Sequence, residues 1–286
     1  MPELPEVETI RRELQRRISG HTIRLVEVRV PKMVNYPPAV FSRRLRGRQV
    51  RGVLRRAKML VLPLSGQRWL VFHLKMTGQL VYAPASGRTV SGGHPIPNLG
   101  VLPNIFTHVI FRFRDGGTLY FNDQRKFGWV KLMDADGLKK LFFSLGIEPL
   151  SKDFTWQNFY ALVRRYPNRK IKQIITDGEL MVGVGNIYAD ESCFCAGIRP
   201  MRRGKTINQL TLKKLHQCIP RVLKLAVSKK GTTSDTYRRP NGQGGDMLAY
   251  LKVYGRKGKP CKRCGTPIMK TIVGQRGTHY CPHCQR

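Results

Sequence analysis

Residues 261–284 read "CKRCGTPIMKTIVGQRGTHYCPHC": a Cys-x-x-Cys pair (Cys261, Cys264), sixteen intervening residues, and a second pair (Cys281, Cys284). A tetrahedral Zn²⁺ takes four soft, deprotonated ligands, and two tight knuckles at the ends of a hairpin deliver them. With all four positions filled by protein, no place is left for water, so the metal implied is one structural Zn²⁺. No stretch reads as a secretory signal, and in that setting paired Cys-x-x-Cys units favour metal over disulfides. The remaining cysteines, Cys193, Cys195 and Cys218, fall in a helical region and are expected to be small packing residues. Between the knuckles, "QRGTH" puts Arg276 near the hairpin tip, where a cation can enter a nucleic-acid groove.

Working outward, the whole chain carries the same charge preference. Lys plus Arg number 52 against 17 Asp plus Glu, a net charge of +35, on 286 residues that are 41% hydrophobic. That composition is a folded protein of two or three modules with a large positive field, and the expected partner is a polyanion. An anionic membrane is the rival partner, but no apolar run approaches the roughly 20 residues that span a bilayer. The expectation is a cytoplasmic, nucleoid-associated protein.

From about Thr22 to Met133 the sequence alternates or runs apolar in β-branched segments such as "RWLVFHLKMTGQLVY", and "RDGG" supplies a hairpin turn. This predicts a β-sandwich or barrel. Leu4, Val7, Ile10, Leu14 and Ile18 recur at three and four, an amphipathic helix laid against it. "APASGRTVSGGHPIPNLGVLPNIF", residues 83–106, is rich in Pro and Gly and reads as a surface loop. From about Ser151 to Lys230 the pattern is helical, and Leu212, Leu215, Ile219, Val222, Leu223 and Ala226 stripe its longest helix, which Pro220 should kink. The polar "GTTSDTYRRPNGQGGD" at 231–246 reads as a long exposed loop and a candidate lid. "GVGNIYADE" at 183–191 has two readings: a helix N-terminus that binds a phosphate with help from Asn186, or a plain packing joint.

Taken in order, "MPELPEVET", "RRAKML", "HLKMTG", "NDQRKFG", "GVGNIYADE" and the cysteine hairpin resemble the bacterial formamidopyrimidine-DNA glycosylase family, which includes endonuclease VIII, over essentially the whole chain. The resemblance implies an α+β multidomain protein. Residues 1–133 would be a catalytic N-terminal β-sandwich with its terminal helix. Residues 134–245 would be a helix–two-turn–helix DNA-binding domain with a lesion-reading loop, and 246–286 a C-terminal zinc finger. Duplex DNA would lie in the cleft between halves, bound by a monomer that excises oxidised purines and cuts the backbone.

The same resemblance assigns roles. Pro2 would be the nucleophile once Met1 is removed, because a terminal secondary amine can attack C1′ of deoxyribose, whereas an amide nitrogen cannot. A terminal amine is also closer to its unprotonated form at neutral pH than lysine is. Glu3 would protonate the sugar ring oxygen and Glu6 would support it. Read from the residues alone, Glu3 is first of all a first-turn acid complementing the helix dipole. Met76, Arg125 and Phe127 would fill the gap left by an extruded base. Lys58, His73, Asn186 and Arg276 would grip phosphates around the lesion. Lys75 and Gly178 stand where the family usually has Gly and Gln, and the 85–106 loop is longer than usual. Two other readings compete: an endonuclease VIII-like preference for oxidised pyrimidines, against which "PELPEVET" speaks, and a non-catalytic basic DNA-binding protein.

Overall fold

The computed structural model describes residues 1–87, 89–93, 101–232 and 246–286. It divides into two compact units, Met1–Phe142 with Lys229–Asp246, and Phe143–Ser228 with Met247–Arg286. Among the described residues no helix is long and apolar enough to cross a membrane. Most of the stretch expected to act as a lid, residues 233–245, lies outside the described residues.

The first unit is a β-sandwich. One sheet orders β1 (Ile23–Val28), β7 (Thr107–Phe113), β8 (Thr118–Asp123), β5 (Gly78–Ala83) and β6 (Val90–Gly93). The other orders β2 (Leu54–Arg56), β3 (Met59–Leu64), β4 (Arg68–His73) and β9 (Trp129–Met133), and every pairing in both is antiparallel. Leu60, Leu62, Leu70 and Phe72 from one sheet share a core with Val109, Phe111, Leu119 and Phe121 from the other. Phe72 packs edge-on against Phe111 and Phe121, with ring centroids 5.6 and 5.8 Å apart. The helix α1 (Leu4–Ile18) adds Val7, Ile10, Leu14 and Ile18 to that core, as its periodicity predicts. A short helix α2 (Pro38–Leu45) covers β1 through Phe41 and Leu45.

The Pro- and Gly-rich stretch is not wholly a surface loop. Residues Val90–Gly93 form β6 and add an edge strand next to β5, and Leu102 packs on the sheet's outer face against Val81, Ile110 and Tyr120. Gly93 is required there: at φ +128° an added Cβ would stand 2.4 Å from the Gly78 carbonyl oxygen.

After α3 (Ala135–Phe143), the second unit holds α4 (Trp156–Arg165), α5 (Ile171–Thr176), α6 (Asn186–Ala196), α7 (Gln209–Ser228) and the short α8 (Met247–Tyr250). It ends in a hairpin of β10 (Met269–Val273) and β11 (Arg276–Tyr280). The apolar stripe of α7 is buried along its length, and the helix runs from Gln209 to Ser228 with Pro220 inside it. One expectation fails here. Cys195 and Cys218 are not separate packing residues but a disulfide joining α6 to α7, because the packing of those helices on one another brings their Cα atoms to 5.8 Å. Cys193 is buried and free, the packing role expected of it.

Candidate functional site

The start of α1 is an unusually buried chain terminus. Pro2, Glu3 and Glu6 are all buried. Glu3 occupies the position before the first helical residue, and its N–H donates to Glu6 Oε2 at 2.9 Å, the carboxylate three residues on closing one orphan donor of the helix. The other carboxylate oxygen, Oε1, accepts from the Thr232 N–H at 2.8 Å and the Thr232 hydroxyl at 3.1 Å. Gly231, at φ +80°, lets this segment approach: a Cβ there would lie 2.8 Å from Glu6 Oε1. The Met1 amine sits beside this pair, and its pKa is lowered, first by burial, with the acids Glu3 and Glu6 opposing and the Lys58 charge adding to the fall.

Lys58 comes from the two-residue turn between β2 and β3, where Arg56 pairs with Met59 and Ala57 takes the left-handed φ of +56°. Met59 pairs with His73 and His73 with Trp129, so the ends of β3, β4 and β9 form one row. His73 accepts from the Lys75 N–H through Nδ1 at 3.0 Å, which leaves Nε2 to carry the proton of the neutral ring. Burial, then the Lys75 and Lys58 charges, push its pKa down to about 3, so at neutral pH the ring is uncharged and offers an N–H donor, not a cation.

Two connections cross between the sheets at this same end. One, residues 74–77, links β4 to β5 and carries Met76, 40% exposed; the other, residues 124–128, links β8 to β9 and carries Arg125 and Phe127, the latter 52% exposed. The Arg125 guanidinium lies over the Phe127 ring, 4.6 Å from its centroid. An exposed methionine and an exposed phenylalanine on adjacent tight loops are costly to leave in water, and they form an apolar tip with a cation on it. Lys75 adopts the left-handed φ of +51°.

The second unit gathers the other expected residues. Asn186 opens α6, and its amide donates to the Gly277 carbonyl at 2.9 Å, next to Arg276. Lys172, 1% exposed, donates to the same carbonyl at 3.2 Å and to Thr278 Oγ1 at 2.8 Å, and pairs with Asp190 at 2.6 Å. Asp190 also accepts from the His279 N–H at 2.8 Å. Glu191 accepts from the backbone N–H groups of Lys252, Val253 and Tyr254 at 2.9–3.1 Å, while burial raises its pKa. Sequence reasoning singled out none of Asp123, Thr232, Lys172, Asp190 and Glu191. The two acids of "YADE" and the Asp of "NDQRKFG" were nonetheless in view, and a buried charge inside a named motif is the signal available.

The four cysteine sulfurs lie within 4.8 Å of one another, with Cys261–Cys284 at 3.9 Å and Cys264–Cys281 at 3.5 Å. Zn–S bonds of ~2.3 Å place tetrahedral sulfurs about 3.8 Å apart, so the cluster fits one Zn²⁺. Backbone N–H groups of Arg263 and Cys284 point at Cys261 and Cys281 sulfur, 3.4 and 3.3 Å away. Gly274 and Gln275, at φ +55° and +60°, make the two-residue turn that sets Arg276 beside the tip.

Three family models match: the formamidopyrimidine-DNA glycosylase N-terminal domain over residues 1–130, that family's H2TH domain over 145–238, and a zinc finger found in FPG and IleRS over 258–286. The chain is 44% identical to the formamidopyrimidine-DNA glycosylase of Symbiobacterium thermophilum over 291 aligned residues, covering 100% of this chain and 89% of that protein. It superposes at a TM-score of 0.87, 34% identity and full coverage of both chains, on Lactococcus lactis Fpg (MutM) in complex with N7-benzyl-Fapy-dG DNA. The L. lactis Fpg complex with abasic-site DNA gives 0.86 at 33% identity, covering 99% of each chain.

Proposed function

The chain belongs to the formamidopyrimidine-DNA glycosylase family, and from that premise we propose that it excises oxidised purines from duplex DNA and cleaves the backbone at the abasic site left behind. The observation that carries the reading is the buried first turn of α1, where an amine of lowered pKa stands beside two buried carboxyl groups. After removal of Met1, the Pro2 nitrogen gains a lone pair and attacks C1′ of the lesion nucleotide; the C1′–base bond breaks and the base leaves with a proton. Glu3 gives a proton to the ring oxygen in the same step, so that base release and the opening of the sugar to an iminium both depend on that proton. The iminium acidifies the C2′ proton, whose loss expels the 3′ phosphate; loss of the C4′ proton from the resulting conjugated iminium then expels the 5′ phosphate, and water hydrolyses the iminium and releases Pro2. Glu6, fixed by Glu3 and Thr232, frames the pocket. Burial lowers the pKa of the terminal amine at this position, and the Lys58 charge adds to the fall against the opposing Glu3 and Glu6.

In this reading Met76, Arg125 and Phe127 wedge into the duplex, and Lys58, His73, Asn186 and Arg276 hold phosphates. The partner is double-stranded DNA with oxidised bases or abasic sites, the enzyme acts as a monomer, and its setting is cytoplasmic and nucleoid-associated. The zinc braces the hairpin that presents Arg276. Residues 1–133, 134–245 and 246–286 divide the work among chemistry, DNA grip and finger.

Borohydride trapping on an 8-oxoguanine:cytosine duplex, followed by mass spectrometry, tests it. The expected adduct is on a peptide that begins at Pro2, formed with an apparent pKa below the ~8 of an unperturbed terminal amine. A cross-link on an internal lysine, or none, overturns the assignment. Glu3→Gln should bind lesion DNA and release no base.

A further inference from the structure

We infer that Asp123 is a positioning residue that locks the two sheet-crossing loops into one wedge, an inference that rests on the wedge reading above. Asp123 ends β8, is completely buried, and pairs across the sheet with Gly78, the first residue after the Met76 loop. Its Oδ1 accepts from the Thr77 hydroxyl, which belongs to that loop, and from the Arg125 N–H at 3.0 Å. Its Oδ2 accepts from the Gly128 N–H at 2.6 Å. The Arg125 N–H is shared with Thr77 Oγ1 at 3.1 Å, so Thr77 must spend its own proton on Asp123. One carboxylate therefore holds both ends of the 124–128 loop and the last residue of the 74–77 loop. His108, itself buried, meets the Asp123 carbonyl at 2.6 Å through Nε2 and fixes the backbone from behind.

The glycines show how tightly this joint is built. A Cβ on Gly128 would stand 2.9 Å from Asp123 Oδ2 and 2.8 Å from the Phe121 ring; one on Gly78 would stand 2.3 Å from the Leu74 carbonyl oxygen. Met76, Arg125 and Phe127 are exposed and make few contacts that could orient them, yet a wedge must meet the base step with all three in register. A buried carboxylate satisfied by three donors is a rigid hub, and it acts on the tip through the backbone.

Asp123→Asn tests this. The amide keeps an acceptor for Thr77 and Arg125 but turns a donor toward the Gly128 N–H, which frees one loop while preserving volume. Thr77→Val frees the other loop and leaves Asp123 in place, and serves where the first variant folds poorly. Three readouts are compared: single-turnover excision from an 8-oxoguanine duplex, fluorescence of 2-aminopurine opposite an abasic-site analogue, and borohydride trapping on single-stranded abasic DNA. Single-stranded DNA has no duplex to part.

The expected result is excision slowed about 10- to 100-fold and a weakened 2-aminopurine signal, with trapping changed less than ~2-fold. A residue that only supports the fold would lower all three together, and that outcome, or unchanged excision in both folded variants, overturns the inference. Met76→Ala and Phe127→Ala separate the two levels of argument. If they slow excision and the Asp123 and Thr77 variants do not, the hub fails and the wedge stands. If they leave excision unchanged, the wedge reading fails and the hub goes with it.

Discussion

Two tight turns offer an arginine to solvent, and they are braced by opposite means. In the first unit the 124–128 loop carries Arg125 through a left-handed Lys126 and is fastened by one buried carboxylate inside a large apolar core. In the second unit the Gly274–Gln275 turn carries Arg276 on a hairpin packed beside a small cluster of Phe194, Val253, Ile268 and cysteine side chains. A sheet that buries both faces can spend a single hydrogen-bonded acid on positioning. A two-stranded hairpin is marginal in water and must borrow its stability from a metal and from charges buried against α5 and α6.

The sharpest way to break that contrast is to remove the metal. Structural Zn²⁺ in small fingers is worth on the order of 10 kcal/mol of folding, so chelation should unfold residues 258–286 and weaken DNA binding, while the β-sandwich retains its circular-dichroism signal and melts as before. A zinc-stripped protein that binds DNA with unchanged affinity would mean the hairpin stands without its clip.

The next largest effect lies under the hairpin. Lys172 and Asp190 are 1% and 0% exposed at the side chain, and removing one leaves the other charge buried and unpaired. Lys172→Met should cost roughly 3–5 kcal/mol in urea unfolding of the second unit, and the double variant Lys172→Met with Asp190→Leu should recover a large part of it. A smaller cost attaches to the α6–α7 disulfide. With a sequence separation of 23 between its cysteines it should contribute roughly 3 kcal/mol, so dithiothreitol should lower the melting temperature of the second unit and leave Cys195→Ser, already lowered, without further response. The first unit, which has no disulfide among its described residues, should not respond to reductant.

The zinc effect falls on a pattern the sequence displays, whereas the buried ion pair and the disulfide fall where it was silent. The cysteine spacing and the stripes of α1 and α7 were legible because each is a local pattern with a fixed period or a fixed ligand count. β6 was hidden because "VSGG" has too little apolar alternation to read as a strand; it exists only because β5 offers an edge. The Cys195–Cys218 bond depends on how two helices pack, which no spacing of 23 encodes. Asp123 and Lys172 look like surface charges, and only the assembled sheet or hairpin shows that their partners arrive from 46 and 106 residues away. The site residues within one motif were thus readable singly, while the groups that hold them were not.

The smallest effect decides what Lys75 is for. At φ +51° a lysine carries left-handed strain of about 1–2 kcal/mol that glycine would relieve, while glycine's freer unfolded chain gives back roughly 0.5–1 kcal/mol. Lys75→Gly should therefore change stability by less than about 1 kcal/mol, and unfolding alone will not reveal its role. The salt dependence of DNA affinity will: if Lys75 neutralises a phosphate, the slope of log K against log salt should become shallower by ~0.9 in the variant. The loss of its charge should also let the neighbouring His73 ring, pushed down partly by Lys75, take a proton at higher pH, visible in an NMR titration. An unaltered slope with a shifted histidine would make Lys75 a tuner of His73 and not a contact to DNA, and would leave the 74–77 loop gripping the duplex through Met76 alone.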